Sequence, residues 1–237
     1  NRKKYKTPIV PTKPLKFGTA VIWICFGMGL CVIANAGTSF LVAFFKNLGI
    51  TLTQGDVAKP NSIFECILDI IGIAIVPAIC EEFAMRCCAL GLLKNYGKAF
   101  GVVSVSVVFG LLHGNVIQFI FAFLVGLVLA YITIKTESII PAMCIHALNN
   151  GMSAVSDTVN YAAGKEVNVT VGFFAFWLLV GIIATIYLAI KHKLTIPKDD
   201  GNCVLTLGEK VSSFFFPGMI LPFIVLIIMT AQTVKIG

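Results

Sequence analysis

Apolar segments of roughly 18 residues or more recur along the chain, and they constrain its fold more than any other feature. Hydrophobic residues make up 58% of the 237 residues, and charged residues only 12%. A helix of roughly 20 apolar residues crosses the hydrocarbon core of a bilayer, where every backbone polar group needs an internal partner. We therefore predict an all-α fold, a polytopic transmembrane helical bundle of about seven spans, with about six to eight compatible with the pattern.

The basic residues predict how this bundle is oriented in the membrane. The predicted spans cover residues of about 17–45, 62–93, 99–115, 117–134, 139–156, 169–190 and 214–234. With the N-terminus inside, 13 Lys and Arg lie on cytoplasmic segments and four lie outside, while Arg86 is buried in a span. Cytoplasmic loops carry the excess of Lys and Arg. We therefore predict an integral multi-pass protein of a bacterial cell membrane with a cytoplasmic N-terminus.

The chain divides into a leader and one membrane domain. Residues 1–16 contain six basic residues, three prolines and no acidic residue, which predicts a cytoplasmic leader that contacts anionic membrane lipids. Because this charge lies directly against a span, nucleic-acid binding is not predicted. Residues 17–237 form the predicted membrane domain, with a catalytic core at about 62–156. The pattern does not predict an oligomeric state.

Three charged residues inside the second predicted span indicate a functional site. Each of Glu81, Glu82 and Arg86 costs about 2.5 to 3.5 kcal/mol to insert into lipid. Glu82 and Arg86 are four residues apart and can pair, whereas Glu81 points about 100° away from Glu82 around the helix. One carboxylate is thus left without a local partner. Pro77 is expected to kink this helix, because its ring displaces the carbonyl of Ile73.

Two of the three histidines lie inside predicted spans and at the depth of Glu81. Counted at about 1.5 Å per residue from the nearest cytoplasmic lysine, Glu81, His113 and His146 lie at about 20, 22 and 16 Å. Asn150 follows His146 by four residues and shares its helix face. Each residue alone has a structural explanation, as a packed or hydrogen-bonded side chain. Together, a carboxylate, two imidazoles and an amide are the groups that activate a water molecule.

Three motifs on separate spans resemble, in order, those of the CPBP (CAAX protease and bacteriocin-processing, or Abi) intramembrane proteases. The motifs are Glu81-Glu82-x-x-x-Arg86, Phe109-x-x-x-His113 and His146-x-x-x-Asn150. The resemblance covers residues of about 62–156, under half of the chain. It departs from the family at Cys87, where the family often has glycine after the arginine.

The resemblance implies a glutamate-dependent CAAX-type endopeptidase that hydrolyses a peptide bond within the membrane. Glu81 would activate water, and Glu82 with Arg86 would be its supporting pair. The groups that would hold the water and stabilise the oxyanion are His113, His146 and Asn150. The implied substrates are membrane-associated or lipidated precursors: prenylated CAAX proteins, peptide bacteriocins or peptide signals.

The sequence leaves the metal requirement open. His113 and His146 could hold a divalent metal, zinc by preference, with a glutamate as third ligand, as in a metalloprotease. If Glu81 were that ligand, Glu82 would have to be the base, which its pairing with Arg86 opposes. A metal-free variant driven by glutamate is the alternative.

Two other classes of function remain compatible with these residues. A transporter, or a bacteriocin-immunity or adaptor protein, would use them as a relay or binding pocket, and its flux or partner binding would survive loss of His113 and His146. A haem protein with two histidine ligands would show a characteristic absorbance spectrum.

Overall fold

The computed structural model describes residues 11–55, 58–197, 206–212 and 217–236, and helices dominate them. The helices are α1 (Phe17–Asn47), α2 (Ile63–Tyr96), α3 (Lys98–Leu111), α4 (Val116–Thr136), α5 (Ile140–Ala163), α6 (Val169–Ile190), α7 (Leu207–Ser212) and α8 (Pro217–Ala231). Two short strands, β1 (Ile50–Leu52) and β2 (Val234–Ile236), pair antiparallel. The predicted all-α class is thus confirmed. Most of the predicted leader, residues 1–10, lies outside the described residues.

Among the described residues, four helices are long and apolar enough to cross a membrane. They are α1, α2, α4 and α6, and α3 is a shorter apolar helix of 14 residues. Helices also occupy the positions of the other predicted spans, at α5 and α8. The membrane-type helical fold is therefore confirmed, while the count of about seven spans is not and stays a prediction.

Segments that were predicted to share one side of the membrane lie together. Near one end, the backbone N–H of Lys13 donates to the carbonyl of Glu137 at 3.0 Å, and Lys135 Nζ contacts Thr195 Oγ1 at 2.6 Å. Near the other end, β1 after α1 pairs with β2 after α8. If successive spans cross the membrane in opposite directions, as predicted, these connecting segments must lie at the same two ends of the bundle. Which end faces the cytoplasm stays a prediction.

The main core surrounds α1, which contacts α4, α5 and α6. Trp23 and Met28 of α1 pack in one cluster with Leu129 and Ile132 of α4 and with Ile145 of α5. Leu129, Ile132 and Ile145 have no exposed surface. Because Ile145 is fixed in this core, the next residue of α5 is held at a defined depth and direction.

Two glycines allow α1 and α6 to approach closely. A Cβ built on Gly181 would lie 2.5 Å from the Cα of Gly29, and one on Gly29 would lie 2.8 Å from the Cα of Gly181. Small residues that bring helix backbones together are a common packing device in membranes. The sequence alone did not identify this pair.

We expect Gly181→Ala to destabilise the protein by about 1 to 3 kcal/mol, because the added methyl meets backbone rather than a flexible side chain. Thermal unfolding in detergent measures this effect. Gly172→Ala is the matched control on α6, since a Cβ there meets nothing within 4 Å. An equal unfolding temperature for both variants would contradict the proposed packing.

α2 is one continuous but irregular helix. It contains two π-helical segments, Ile70–Ile75 and Phe83–Ala89, on either side of Pro77 and Glu81. Single wide turns of this kind occur frequently at functional sites. The sequence did not predict these wide turns, and the predicted kink at Pro77 stays a prediction.

α3 ends earlier than predicted. The sequence analysis extended its span to Asn115, whereas the helix ends at Leu111 and a turn follows. Gly114 adopts a φ of 68° in this turn, and Asn115 Oδ1 accepts from the backbone N–H of Gln118 at 2.9 Å to begin α4. A left-handed glycine and an Asn N-cap are the usual signals of such a boundary. His113 therefore lies in the turn rather than on a helix.

Candidate active site

A buried ion pair on α2 forms the base of the site. Arg86 Nε lies 3.1 Å from Glu82 Oε2, and both side chains have no exposed surface. Their spacing of four residues predicts this pair. The Nη1 and Nη2 atoms of Arg86 are buried without a hydrogen-bond partner among the residues that the structure describes. Glu82 is therefore the arginine's carboxylate partner, and its removal would leave a buried cation.

Glu82 has a second partner that the sequence analysis missed. Its Oε1 lies 2.8 Å from Nδ1 of His146, a buried residue of α5. Because a carboxylate only accepts, Nδ1 carries the proton of this bond. A carboxylate in this position fixes both the ring orientation and the tautomer of a histidine. No local sequence signal could have found this bond, since the two residues are 64 apart and on different helices.

Glu81 is the less constrained carboxylate. Its side chain is 43% exposed, and its Oε2 lies 3.9 Å from Nε2 of His146. This distance is too long for a hydrogen bond but places the charge beside the imidazole. His146 therefore presents one nitrogen to the buried Glu82 and the other to the accessible Glu81.

The ring of Phe109 lies against one arginine and two histidines, which belong to α2, to the turn after α3 and to α5. Its centroid lies 4.8 Å from Arg86 Cζ, 5.1 Å from the ring of His113 and 5.9 Å from that of His146. An arginine over an aromatic face gains cation–π attraction. Both imidazoles meet the ring at an interplanar angle of 82°. Phe109 belongs to the second motif, but the sequence analysis gave it no role.

The tautomer of His113 follows from its own hydrogen bond. Nδ1 lies 2.8 Å from the carbonyl oxygen of Phe109. Since a carbonyl only accepts, Nδ1 carries the proton, and Nε2 of the neutral ring is an acceptor. The spacing of four residues between Phe109 and His113 is the signal that could have indicated this bond.

Glu81 and His113 face one cleft between α2 and the end of α3. The cleft has a volume of about 280 Å³, and its lining residues are Cys80, Glu81, Ala84, Met85, Phe109, Leu112 and His113. Its walls are largely apolar, with one carboxylate and one imidazole. A mostly apolar pocket with a few polar groups is typical of ligand and substrate sites.

Asn150 lies on the contact between α5 and α2. Its Nδ2 donates to the carbonyl oxygen of Ile73 at 3.2 Å, and its Oδ1 accepts from Nδ2 of Asn149 at 3.3 Å. The residues that line the cleft do not include it. Five of the six predicted site residues thus cluster at or beneath the cleft, whereas Asn150 contacts the backbone of α2. Its predicted role at the water or the oxyanion stays a prediction.

The donors at the site differ from those of a zinc centre. Catalytic zinc takes three protein ligands. Within the described part of the chain, no group of three or more His, Cys, Asp or Glu side chains has the arrangement of a metal site. His113 and His146 each use Nδ1 for a hydrogen bond, as zinc-bound histidines do, but within the described residues they and a glutamate are not arranged as such a centre.

Comparison with protein-family models gives a match to part of the chain. A family model described as Type II CAAX prenyl endopeptidase Rce1-like matches residues 63–152. No curated protein and no solved structure matches the chain. The matched segment runs from α2 into α5 and contains all six predicted site residues. It covers under half of the chain and is consistent with the resemblance to the CPBP family. The long apolar helices of the described residues are those of a membrane protein.

Proposed function

We propose that this chain is an intramembrane endopeptidase in which Glu81 activates a water molecule for attack on a peptide bond. One observation carries the proposal. An accessible carboxylate on the wall of an apolar cleft lies 3.9 Å from an imidazole whose other nitrogen is bound to a buried carboxylate. The family match supports the same reaction.

The proposed reaction begins with the water between Glu81 and His113. Nε2 of His113 accepts one hydrogen bond from the water, and Glu81 takes its other proton as the oxygen attacks the carbonyl carbon. The attack forms a tetrahedral oxyanion. The C–N bond then breaks, and the proton passes from Glu81 to the leaving amine. The proton that Glu81 takes from the water is the one that the leaving amine receives, and no step involves a metal.

His146 is proposed to stabilise the oxyanion. Its Nδ1–H is held by Glu82, so Nε2 points toward Glu81 and the reacting atoms. When the ring is protonated on both nitrogens, Nε2–H donates to the developing negative charge, which is the usual function of an oxyanion hole. Glu82 and Arg86 act through His146 and are positioning residues.

The proposed substrate is a membrane-associated or lipidated peptide. The apolar walls of the cleft suit a hydrophobic chain, and the matched family model is described as a prenyl endopeptidase. A prenylated peptide ending in a CAAX sequence is therefore the first substrate to test. An unmodified apolar peptide of the same sequence represents the peptide-bacteriocin and peptide-signal precursors.

We expect His113→Ala to lower the cleavage rate by about a hundredfold or more, because the water loses its acceptor. The experiment follows cleavage of both peptides by the purified protein in liposomes. His192→Ala is the control, since this exposed histidine lies after α6 and far from the cleft in sequence. Full activity of the His113 variant would contradict its role in the site.

We expect cleavage to survive metal chelation, because the described donors do not provide a three-ligand zinc site. Metal analysis of the purified protein and cleavage in the presence of a chelator measure this. One equivalent of bound zinc, together with activity that chelation removes and added zinc restores, would establish the metalloprotease alternative.

A further inference from the structure

We infer that a cavity at one end of the bundle binds the headgroup of an anionic phospholipid. The cavity has a volume of about 290 Å³ and lies between residues 12–15 of the leader, the first turn of α1 and the start of α5. Its lining residues include Thr12, Lys13, Leu15, Ala20, Ser138 and Ile140. None of its lining residues belongs to the cleft of the candidate active site, so the inference does not depend on the proposed function.

The polar wall of the cavity is fixed by backbone bonds. The N–H of Ile139 donates to the carbonyl of Pro11 at 2.8 Å. Between these two residues, Thr12 and Ser138 face each other in an isolated antiparallel bridge. The leader and the turn before α5 are therefore held side by side, and the hydroxyl-bearing residue of each lines the cavity.

Ser138 supplies a buried hydroxyl to this wall. The residue is only 2% exposed. Its backbone N–H and carbonyl both bond to Oγ1 of Thr136, whereas its own hydroxyl donates no hydrogen bond within the described residues. Buried hydroxyl groups usually have a partner. Because Ser138 lines the cavity, a ligand oxygen in the cavity would provide that partner.

Two helix N-termini meet at the cavity. α1 begins at Phe17 and α5 at Ile140, and both helices are longer than 20 residues. Within the described residues, neither first turn contains an acidic residue or a side-chain cap. The N–H groups and the positive dipole end of a long helix favour an anion. The backbone at both helix starts therefore favours the same charge as a phosphate group carries.

Lysines around Glu137 make this end of the bundle positive. Nζ of Lys13 lies 2.7 Å from Oε2 of Glu137, and both side chains are more than half exposed. The hydrogen bond from Lys13 is the main cause that lowers the pKa of the Glu137 carboxyl, and the charges of Lys94 and Lys98 lower it further. Three lysines thus surround one carboxylate. Because an exposed ion pair contributes little to stability, Lys13 can turn from Glu137 to a phosphate at little cost.

The position of the cavity favours a lipid over a soluble phosphate. α1 and α4 are both long enough and apolar enough to span a membrane, and the cavity lies where α1 begins and just after α4 ends. Lipid headgroups lie at the ends of spans. Leu15 and the exposed Ile140 add apolar surface for an acyl chain. Basic pockets between membrane helices are known to bind anionic headgroups.

Stabilisation of the purified protein in detergent by a short-chain phosphatidylglycerol tests the inference, because a ligand of the folded state raises the unfolding temperature. The half-saturating concentration is measured at about 0.15 M salt, which screens distant exposed charges. We expect Ser138→Ala to raise this concentration about tenfold, since a hydrogen bond to a charged group is lost. Lys13→Gln should raise it about fivefold. Lys59→Gln is the matched control, because Lys59 is also an exposed lysine paired with an exposed glutamate.

Ser138→Ala distinguishes a built site from general attraction to the basic leader, because it leaves every charge in place. Wild-type affinity in this variant would overturn the inference, and so would an equal loss of affinity in Lys13→Gln and Lys59→Gln. The unfolding temperature without lipid shows whether each variant is folded. If Ser138→Ala does not fold, the comparison of Lys13→Gln with Lys59→Gln decides, since both of these lysines are exposed.

Two further ligands identify the source of the phosphate. Phosphatidylcholine of the same chain length carries the phosphate without net charge, and glycerol 3-phosphate carries it without acyl chains. We expect both to need at least about a tenfold higher concentration than phosphatidylglycerol, because each lacks one of the two attractions. Equal stabilisation by phosphatidylcholine would overturn the selection for an anionic lipid. Equal stabilisation by glycerol 3-phosphate would overturn the lipid as the ligand.

Discussion

Glu81→Gln lowers the rate of peptide cleavage by about a thousandfold and leaves the protein folded. This result is expected because a general base contributes about a hundredfold to ten-thousandfold, and an amide cannot take a proton from water. The side chain is 43% exposed, and its Oε2 lies 3.9 Å from Nε2 of His146, too far for a hydrogen bond, so it contributes little to the packing of α2. Cleavage of the prenylated peptide in liposomes measures the rate. Thermal unfolding in detergent shows whether the variant is folded.

The matched control for Glu81→Gln is Asp69→Asn. This variant also removes one carboxylate from α2, at a position about three turns closer to the start of the helix than Glu81. We expect full cleavage activity from it. Retained turnover in the Glu81 variant would rule out the glutamate mechanism. Ion flux or partner binding that persists without Glu81, His113 and His146 would instead support the transporter or immunity alternative.

The sequence predicted the long helices well, because a helix that crosses lipid needs about 20 consecutive apolar residues. Long apolar runs between polar turns predicted helices within a few residues of α1, α4 and α6. The predicted end of α3 was wrong, since Leu112 continues the apolar pattern and the signals that end the helix, Gly114 and the Asn115 cap, come only after it. Periodicity does not distinguish a final helical turn from a short loop of similar composition.

The sequence predicted that five of the six candidate residues would lie close together, but it did not predict most of their bonds. The spacing of Glu82 and Arg86 predicted their pair, and equal depth brought His113 and His146 to the level of Glu81. The rotation of α2 relative to α5 decides which carboxylate forms the hydrogen bond with His146. The wide turns of α2 alter that rotation. Side-chain contacts between helices depend on such rotations, so Glu82 and Ile73 were not recognised as partners of α5.

The buried group of Arg86, Glu82 and His146 leads to the prediction with the largest effect on stability. Glu82→Leu leaves a buried cation without its carboxylate and a histidine without its acceptor, and we expect a loss of about 3 to 5 kcal/mol in the free energy of unfolding. Adding Arg86→Met removes the unpaired cation. Because apolar residues often replace a buried pair without loss, the double variant should regain most of the stability.

Cleavage activity distinguishes the role of Glu82 in stability from its role in positioning His146. Both variants should lose about a hundredfold or more in cleavage rate, since nothing then fixes the tautomer and direction of His146. Glu137→Gln is the control for losing an ion pair, because Glu137 is 66% exposed beside Lys13 and its removal should cost less than about 1 kcal/mol. A stable double variant with wild-type activity would show that His146 needs no carboxylate. A double variant as unstable as Glu82→Leu would show instead that the cation is not what destabilises the single variant.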